Sequence, residues 1–239
     1  MTMSTPQNDL INSLPAATQN AIADVEKTKS AWLAAREIES KATARVDTIK
    51  ARRNEAAANA EAQNKRWHEL FRANDGEMTK EMRALRSEVA LDRESLEVFD
   101  ELISTTEEEI ETIPWDTADR AREYIAAHKR LKRIRANQLW GEFMNQHGTQ
   151  LTQLLTLMNE TLERSPENHY DEKTALTNFV KNEVLSRAFS NDVLPSDPVF
   201  TLVDHYPQSA SHYDVHKGGT AAARHKVSVR RAMKKQGGK

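Results

Sequence analysis

The chain has 239 residues, 38% of them hydrophobic and 29% charged, with a net charge of −2 and no cysteine. These proportions suit long exposed helices better than a compact α/β enzyme, and the missing thiols exclude disulfides and thiolate metal sites. The near-balanced charge gives no global attraction to nucleic acid. Seven glycines and seven prolines leave few turns, no alternating β-branched run reaches strand length, and no apolar run approaches the ~18 residues that would span a membrane.

Residues 1–16 are polar and read as a flexible arm, and Met1 to Leu14 lacks the hydrophobic run of a secretion signal. From Ala17 to Arg72 no Gly or Pro intervenes. Val25, Trp32, Glu39, Val46, Arg53, Ala60 and Trp67 lie seven apart, as do Thr28, Ala35, Ala42, Ile49, Ala56, Gln63 and Leu70. This is a heptad seam of mostly small residues, weakened by Glu39, Arg53 and Gln63. At 1.5 Å per residue such a helix reaches roughly 80 Å. Ala73-Asn74-Asp75-Gly76 supplies turn chemistry. A second helix from about Glu77 to Ile113 places Met82, Val89, Leu96, Ile103 and Ile110 at one heptad position, with Met78, Leu85, Phe99 and Ile113 at the other. The short turn makes the pair antiparallel. The expected fold is therefore all-α and elongated: a long antiparallel, coiled-coil-like helical hairpin over 17–113, a further helical region over 114–190, and an irregular segment with a basic C-terminal tail over 191–239.

The second helix carries twelve acidic residues against four basic ones between Glu77 and Ile113, a net of −8. Glu107, Glu108, Glu109 and Glu111 crowd its C-terminal end, where the helix dipole disfavours them. They call for cations, from the basic run at 129–135 or from another subunit. Pro114 is expected to end this helix and Asp116 to cap the next.

That next helix holds Lys129, Arg130, Lys132, Arg133 and Arg135, five cations within seven residues, leaving Leu131 and Ile134 as a narrow apolar wedge. From Trp140 the pattern turns apolar: Trp140, Met144, His147, Leu151, Leu154 and Met158 recur at steps of three or four. The expectation is a charged surface helix continuing, through Gly148, into a buried one. Ser165-Pro166 ends it. Asp171 caps a further helix carrying Ala175, Leu176, Phe179, Val180, Val184, Leu185 and Phe189. Residues 191–213 hold Pro195, Pro198 and Pro207 and read as irregular. The 28 residues from His212 to Lys239 hold eight Lys or Arg against one Asp, a net of +7.

Neither a phosphate-binding glycine loop nor a nucleophile elbow is present. His212 and His216 have helical metal-ligand spacing but no companion Cys, so no metal and no cofactor is expected. The acidic clusters lack a surrounding pocket pattern, and the chain does not read as an enzyme. The candidate protein-binding residues are the cations 129–135, the acids Glu107, Glu108 and Glu109, and Arg224, Lys226, Arg230 and Arg231 in the tail. The basic run is either a docking surface for an acidic protein or phosphates, or a solvated face offset by the Glu107–Glu111 cluster. The tail is open to the same two readings. Nucleic acid is disfavoured because no aromatics are interleaved with these cations.

Two residue patterns resemble known families. Trp67 with Phe71-Arg72-Ala73 and Gly76, Asp119-Arg120 through Tyr124, Ala127-His128 and Leu131, then Pro198-Val199 with Leu202 and Tyr213 to Arg224 around Gly219-Thr220, are similar to the capsid size-determination (Sid) proteins of satellite phages. Lys29-Ser30-Ala31-Trp32-Leu33, Tyr124-Ile125, His128 and Phe143-Met144-x-Gln146-His147-Gly148-Thr149 resemble the polarity-suppression (Psu) proteins of the same satellites, which look smaller and lack so long a hairpin. The first resemblance implies an external scaffold that cages the outer face of the procapsid in the cytoplasm of the infected bacterial host. Its partners would be the helper-phage major capsid protein and further copies of itself in a homo-oligomeric cage. The second implies an all-helical dimer that decorates the finished capsid and inhibits the transcription terminator Rho.

Overall fold

The computed structural model describes residues 5–161, 172–189 and 197–237, and no strand occurs among them. The helices are α1 (Thr5–Ser13), α2 (Ala16–Ala73), α3 (Lys80–Ile110), α4 (Ile113–Thr161) and α5 (Glu172–Val180). A π-helical turn (Lys181–Leu185) then leads into α6 (Ser186–Phe189), followed by α7 (Pro198–Val203), α8 (Ser209–Val215) and α9 (Ala221–Gly237). The chain divides into two units, one made of Met1–Lys27 with Ile125–Pro207, the other of Thr28–Tyr124 with Gln208–Lys239. Both boundaries inside long helices, in α2 and α4, are invisible to a segmentation that runs along the sequence.

The second unit contains the hairpin. Lys50 pairs with Glu107, Arg53 with Asp100 and Arg66 with Glu81, at 2.7, 2.9 and 2.7 Å. Residue numbers rise on α2 as they fall on α3, so the helices are antiparallel. The seam is the one the heptads specify: Trp32, Ala35, Val46, Ala60, Met82 and Leu85 are buried, and Ala42, Ile49, Ala56, Gln63, Val89, Leu96, Phe99 and Ile103 are half-buried. The turn falls at Asn74–Gly76. Asp75 and Gly76 take φ of 51° and 86°, and the Gly76 N–H donates to the Phe71 carbonyl at 3.0 Å. This left-handed exit satisfies the last carbonyls of α2. Thr79 then caps α3, its hydroxyl accepting from the Met82 N–H.

In the first unit, the opening turns of α2 pair antiparallel with α4 through Asp24 and Arg130 at 2.7 Å and through Thr18 and Gln138 at 2.9 Å. Ala21, Ile22, Val25, Ala127, His128, Leu131, Val199 and Val203 form the core.

Several sequence expectations are corrected. Pro114 does not end α3 and Asp116 does not cap α4: α3 closes at Ile110, and α4 opens at Ile113 with Pro114 and Asp116 in its first turn. Proline is preorganised there, because its missing N–H would be unpaired anyway. The two halves of α4 differ from the expectation in what they bury, although Lys129, Arg130 and Arg133 are exposed as expected. The basic half carries the buried face, with Ala127, His128, Leu131 and Arg135 buried. The apolar half is only partly covered: Met144, Leu151 and Met158 are half-buried, whereas Trp140, Leu154 and Leu157 are 60%, 54% and 57% exposed. Three-four spacing specifies that a face is apolar; it does not specify what covers it. Thr5–Ser13 is helical where an arm was expected, with Pro6 in its permissive first turn. The segment expected to be irregular with a loose tail holds α7, α8 and α9. Pro198 starts α7, with Asp197 accepting from the Val199 N–H as N-cap, and Thr220 accepts from the Ala223 N–H at the start of α9. The Ser165-Pro166 helix end, the Asp171 cap, Ala175 and Pro195 lie outside the residues or side chains described.

Replacing Gly76 with Ala should cost about 1–2 kcal/mol, since a Cβ at φ +86° is strained, while the nearest atom it meets, on Phe71, is at an ordinary 3.6 Å. Gly76→Asn should recover part of that loss in chemical denaturation. An Ala variant as stable as the parent would show that the turn does not fix the hairpin.

Candidate docking surfaces

Trp32 anchors the second unit. It stacks on Tyr124 with centroids 5.5 Å apart, and its Nε1–H donates to Asp214 at 2.9 Å. Asp214 is 3% exposed and also accepts from Arg36 at 3.0 Å and Lys217 at 2.8 Å. Lys217 reaches on to Glu39, and Arg36 lies over the Trp32 ring. An isolated buried carboxylate is costly, and three charge-assisted or indole donors remove that cost while tying α8 to α2. The Gln208 N–H donates to the Tyr124 hydroxyl at 3.4 Å, placing the start of α8 against α4.

From there the chain turns into α9. A Cβ at Gly219 would lie 2.5 Å from the Trp115 ring, so only glycine permits this close approach. Arg224 donates twice to Asp119, at 2.6 and 2.9 Å, and its guanidinium lies 5.7 Å from the Trp115 ring centroid. Farther along α9, Arg230 pairs with Glu111 and Lys234 with Glu108, while Arg231 donates to the Glu108 carbonyl at 3.3 Å. The acids at the end of α3 therefore meet the tail and Lys50 within this unit. Cations at that helix end also offset the dipole's penalty.

Near the turn of the hairpin, a groove of about 390 Å³ is lined by Asn64, Trp67, His68, Arg86, Val89, Ala90 and Arg93. Phe71 stacks on Trp67 at 5.1 Å and Arg86 lies 5.6 Å from its centroid. The Trp67 Nε1–H is buried and has no hydrogen-bond partner among the described residues.

In the first unit, Arg135 is buried against Asp197 at 2.7 Å, and Lys132 lies 4.1 Å from the Tyr206 ring centroid and 6.0 Å from that of Phe200. His128 is buried and its Nε2–H donates to the Asp204 carbonyl at 3.0 Å. Burial holds its imidazole below the usual value, and the Lys132 and His205 charges push the same way. The open half of α4 presents an aromatic row, Trp140 on Phe143 at 5.8 Å and Phe143 against His147 at 5.4 Å.

Of the cations picked from sequence, Arg130, Lys132 and Arg135 are used within the chain. Lys129, Arg133 and Lys226 are exposed and carry no ion pair among the described residues. Arg224, Arg230 and Arg231 hold α9, Glu107 and Glu108 are paired, and Glu109 is exposed. Glu107 and Glu108 take their cations, Lys50 and Lys234, from within the second unit. Sequence reasoning gave no pairing role to Asp214, Asp119 or Asp197, the carboxylates that anchor α8, α9 and α7. One signal was available: Asp214 is the single acid in a tail of net +7, and a lone charge of opposite sign is a candidate for internal pairing. Trp32, Tyr124 and His128, three residues behind the resemblances, are buried, whereas Phe143 and His147 are exposed.

Lys234 holds the Glu108 carboxyl below its ordinary 4.5, and Arg224 holds Asp119 below its ordinary 3.8. Because both folded values are lowered, the stabilisation is present above the ordinary values and is lost as pH falls through the folded ones. Amide-exchange protection of α9 should therefore hold from neutral pH down to that range and drop below it. Loss of protection already near pH 6 would contradict the carboxylate clamp.

Comparison with known proteins places the chain in a family context. The family described as phage polarity suppression protein (Psu) matches residues 18–236. No curated protein matches the chain. Among solved structures, a chain from "Satellite phage P4 procapsid including size determination (Sid) protein" is similar with a TM-score of 0.68 at 20% identity, covering 93% of this chain and 99% of that one.

Proposed function

Since this chain belongs to the phage polarity suppression protein (Psu) family, we propose that it is a satellite-phage capsid size-determination protein. In this reading it is an external scaffold that redirects the helper phage's major capsid protein into a smaller procapsid. The observation that carries the reading is the fold shared, over nearly the whole of both chains, with a chain of a satellite phage procapsid that includes size determination (Sid) protein. The surfaces described above support it. Long helices supply reach, and exposed charge and aromatic rows supply many contacts that are individually weak. An exposed ion pair contributes about 0–1 kcal/mol, and repetition around a shell turns such contacts into avidity while leaving each one releasable. The protein acts by binding and without catalysis, in the cytoplasm of the infected bacterial host and on the outer face of the procapsid, with other copies of itself as neighbours.

A second reading, with which the family's name agrees, is a Psu-like capsid-decorating protein that inhibits the transcription terminator Rho. The two readings separate experimentally. Co-expression with the helper coat protein should yield shells smaller than those of coat protein alone, with added external density by electron microscopy. Shells of unchanged diameter would overturn the scaffold reading. The RNA-dependent ATPase of Rho should be unaffected by excess protein; clear inhibition would favour the second reading. Reversing the exposed pair Lys129→Glu and Arg133→Glu should leave helix content unchanged, since Glu is as good a helix former, and should restore helper-sized shells.

A further inference from the structure

The face of α3 turned away from the hairpin seam carries a second apolar stripe that no described residue of the second unit covers. Leu91 and Val98 are seven apart and Leu102 follows four residues later, with the small Ser95 at the position between the first two. They are 63%, 61% and 41% exposed, whereas seam residues of the same helix, such as Met82 and Leu85, are buried. Large apolar side chains at a and d spacing on a second face form the seam for one more helix.

The charges beside this stripe are of one sign. Glu94 and Glu101 flank it, and Glu88 closes its N-terminal end at the heptad position that Leu102 holds two heptads later. All three are exposed, and none forms an ion pair among the described residues. In contrast, Glu81, Asp100, Glu107 and Glu108 of the same helix are all paired within the unit. Flanking positions of a helical seam set partner choice through charge, so the stripe selects against an acidic helix. A second copy of α3 would bring acids against acids. The same helix already accepts a basic one: α9 is seated on its C-terminal end through Lys234 and Arg230.

We propose that the outer face of α3 is a docking seam for a cationic amphipathic helix of a partner protein, with Leu91, Val98 and Leu102 forming the apolar contact and Glu88, Glu94 and Glu101 the flanking attraction. This goes beyond the scaffold assignment and rests on the architecture of the second unit alone, so either can fail without the other.

The test uses the full chain and a synthetic amphipathic helix with Leu at its a and d positions and Lys at e and g, titrated by calorimetry alongside a Glu-flanked counterpart. The Lys-flanked helix should bind, more weakly as salt is raised, and the Glu-flanked helix should not. The triple variant Leu91→Gln, Val98→Gln and Leu102→Gln should bind at least about tenfold more weakly, because the apolar core of a contact carries most of its affinity. Its thermal midpoint should match the parent, since the three side chains are exposed. Equal binding of both peptides, or undiminished binding to the triple variant, would overturn the proposal. So would sedimentation showing that the parent self-associates and the triple variant does not, because the occupant would then be a second copy.

Discussion

Asp214 carries a negative charge into the interior of the second unit, where an unpaired carboxylate would cost several kcal/mol. Its neighbours remove that cost and in doing so define the unit. The Trp32 indole and the Arg36 guanidinium come from α2, and Lys217 from the turn after α8. Trp32 in turn stacks on Tyr124 of α4. Three segments distant in sequence thus meet around one acid. The chain leaving it must pass the Trp115 ring at Gly219, and that passage aims α9 along the acidic end of α3.

The net charge of −2 conceals this arrangement. The helix with net −8 and the tail with net +7 lie in the same unit, and the tail neutralises one end of the helix. Exposed pairs such as Lys234 with Glu108 are individually weak. Their combined effect is to choose where α9 lies, while apolar contacts such as buried Val227 supply affinity. In the first unit the same logic is more deeply buried: Asp197 caps α7 through its other oxygen while accepting from Arg135, so one carboxylate both starts a helix and ties it to α4. Glu88, Glu94 and Glu101 of α3 and the cations Lys129, Arg133 and Lys226 are exposed and form no ion pair among the described residues.

The hairpin was legible in the sequence because its information is local and periodic: two heptad seams and an Asn-Asp-Gly turn. The capping of α7 and α9 was equally local, at Asp197 and Thr220, but proline density masked the first, and Gly218-Gly219 at the head of a basic tail masked the second. The pairing of the acidic cluster was not legible. Complementary charge names the sign of a partner, and the basic run at 129–135 and the tail satisfy it equally; only the geometry around Asp214 and Gly219 selects the tail. The apolar half of α4 failed for a related reason. Trp140 and Leu154 obey helical spacing, but burial depends on a covering element that periodicity does not contain. Arg135 failed in the opposite sense, since a cation amid four others reads as surface until Asp197 arrives from 62 residues away.

The central claim, that the Asp214 carboxylate and the Trp32 indole hold the second unit together as a coupled pair, is tested most directly by a double-mutant cycle. Trp32→Phe keeps a stacking ring and removes the donor; Asp214→Asn keeps the size and removes the charge. Chemical denaturation of the two single variants and the double should give a coupling free energy of about 1–3 kcal/mol, as expected for a buried charge-assisted hydrogen bond between groups in contact. A coupling indistinguishable from zero would contradict the account.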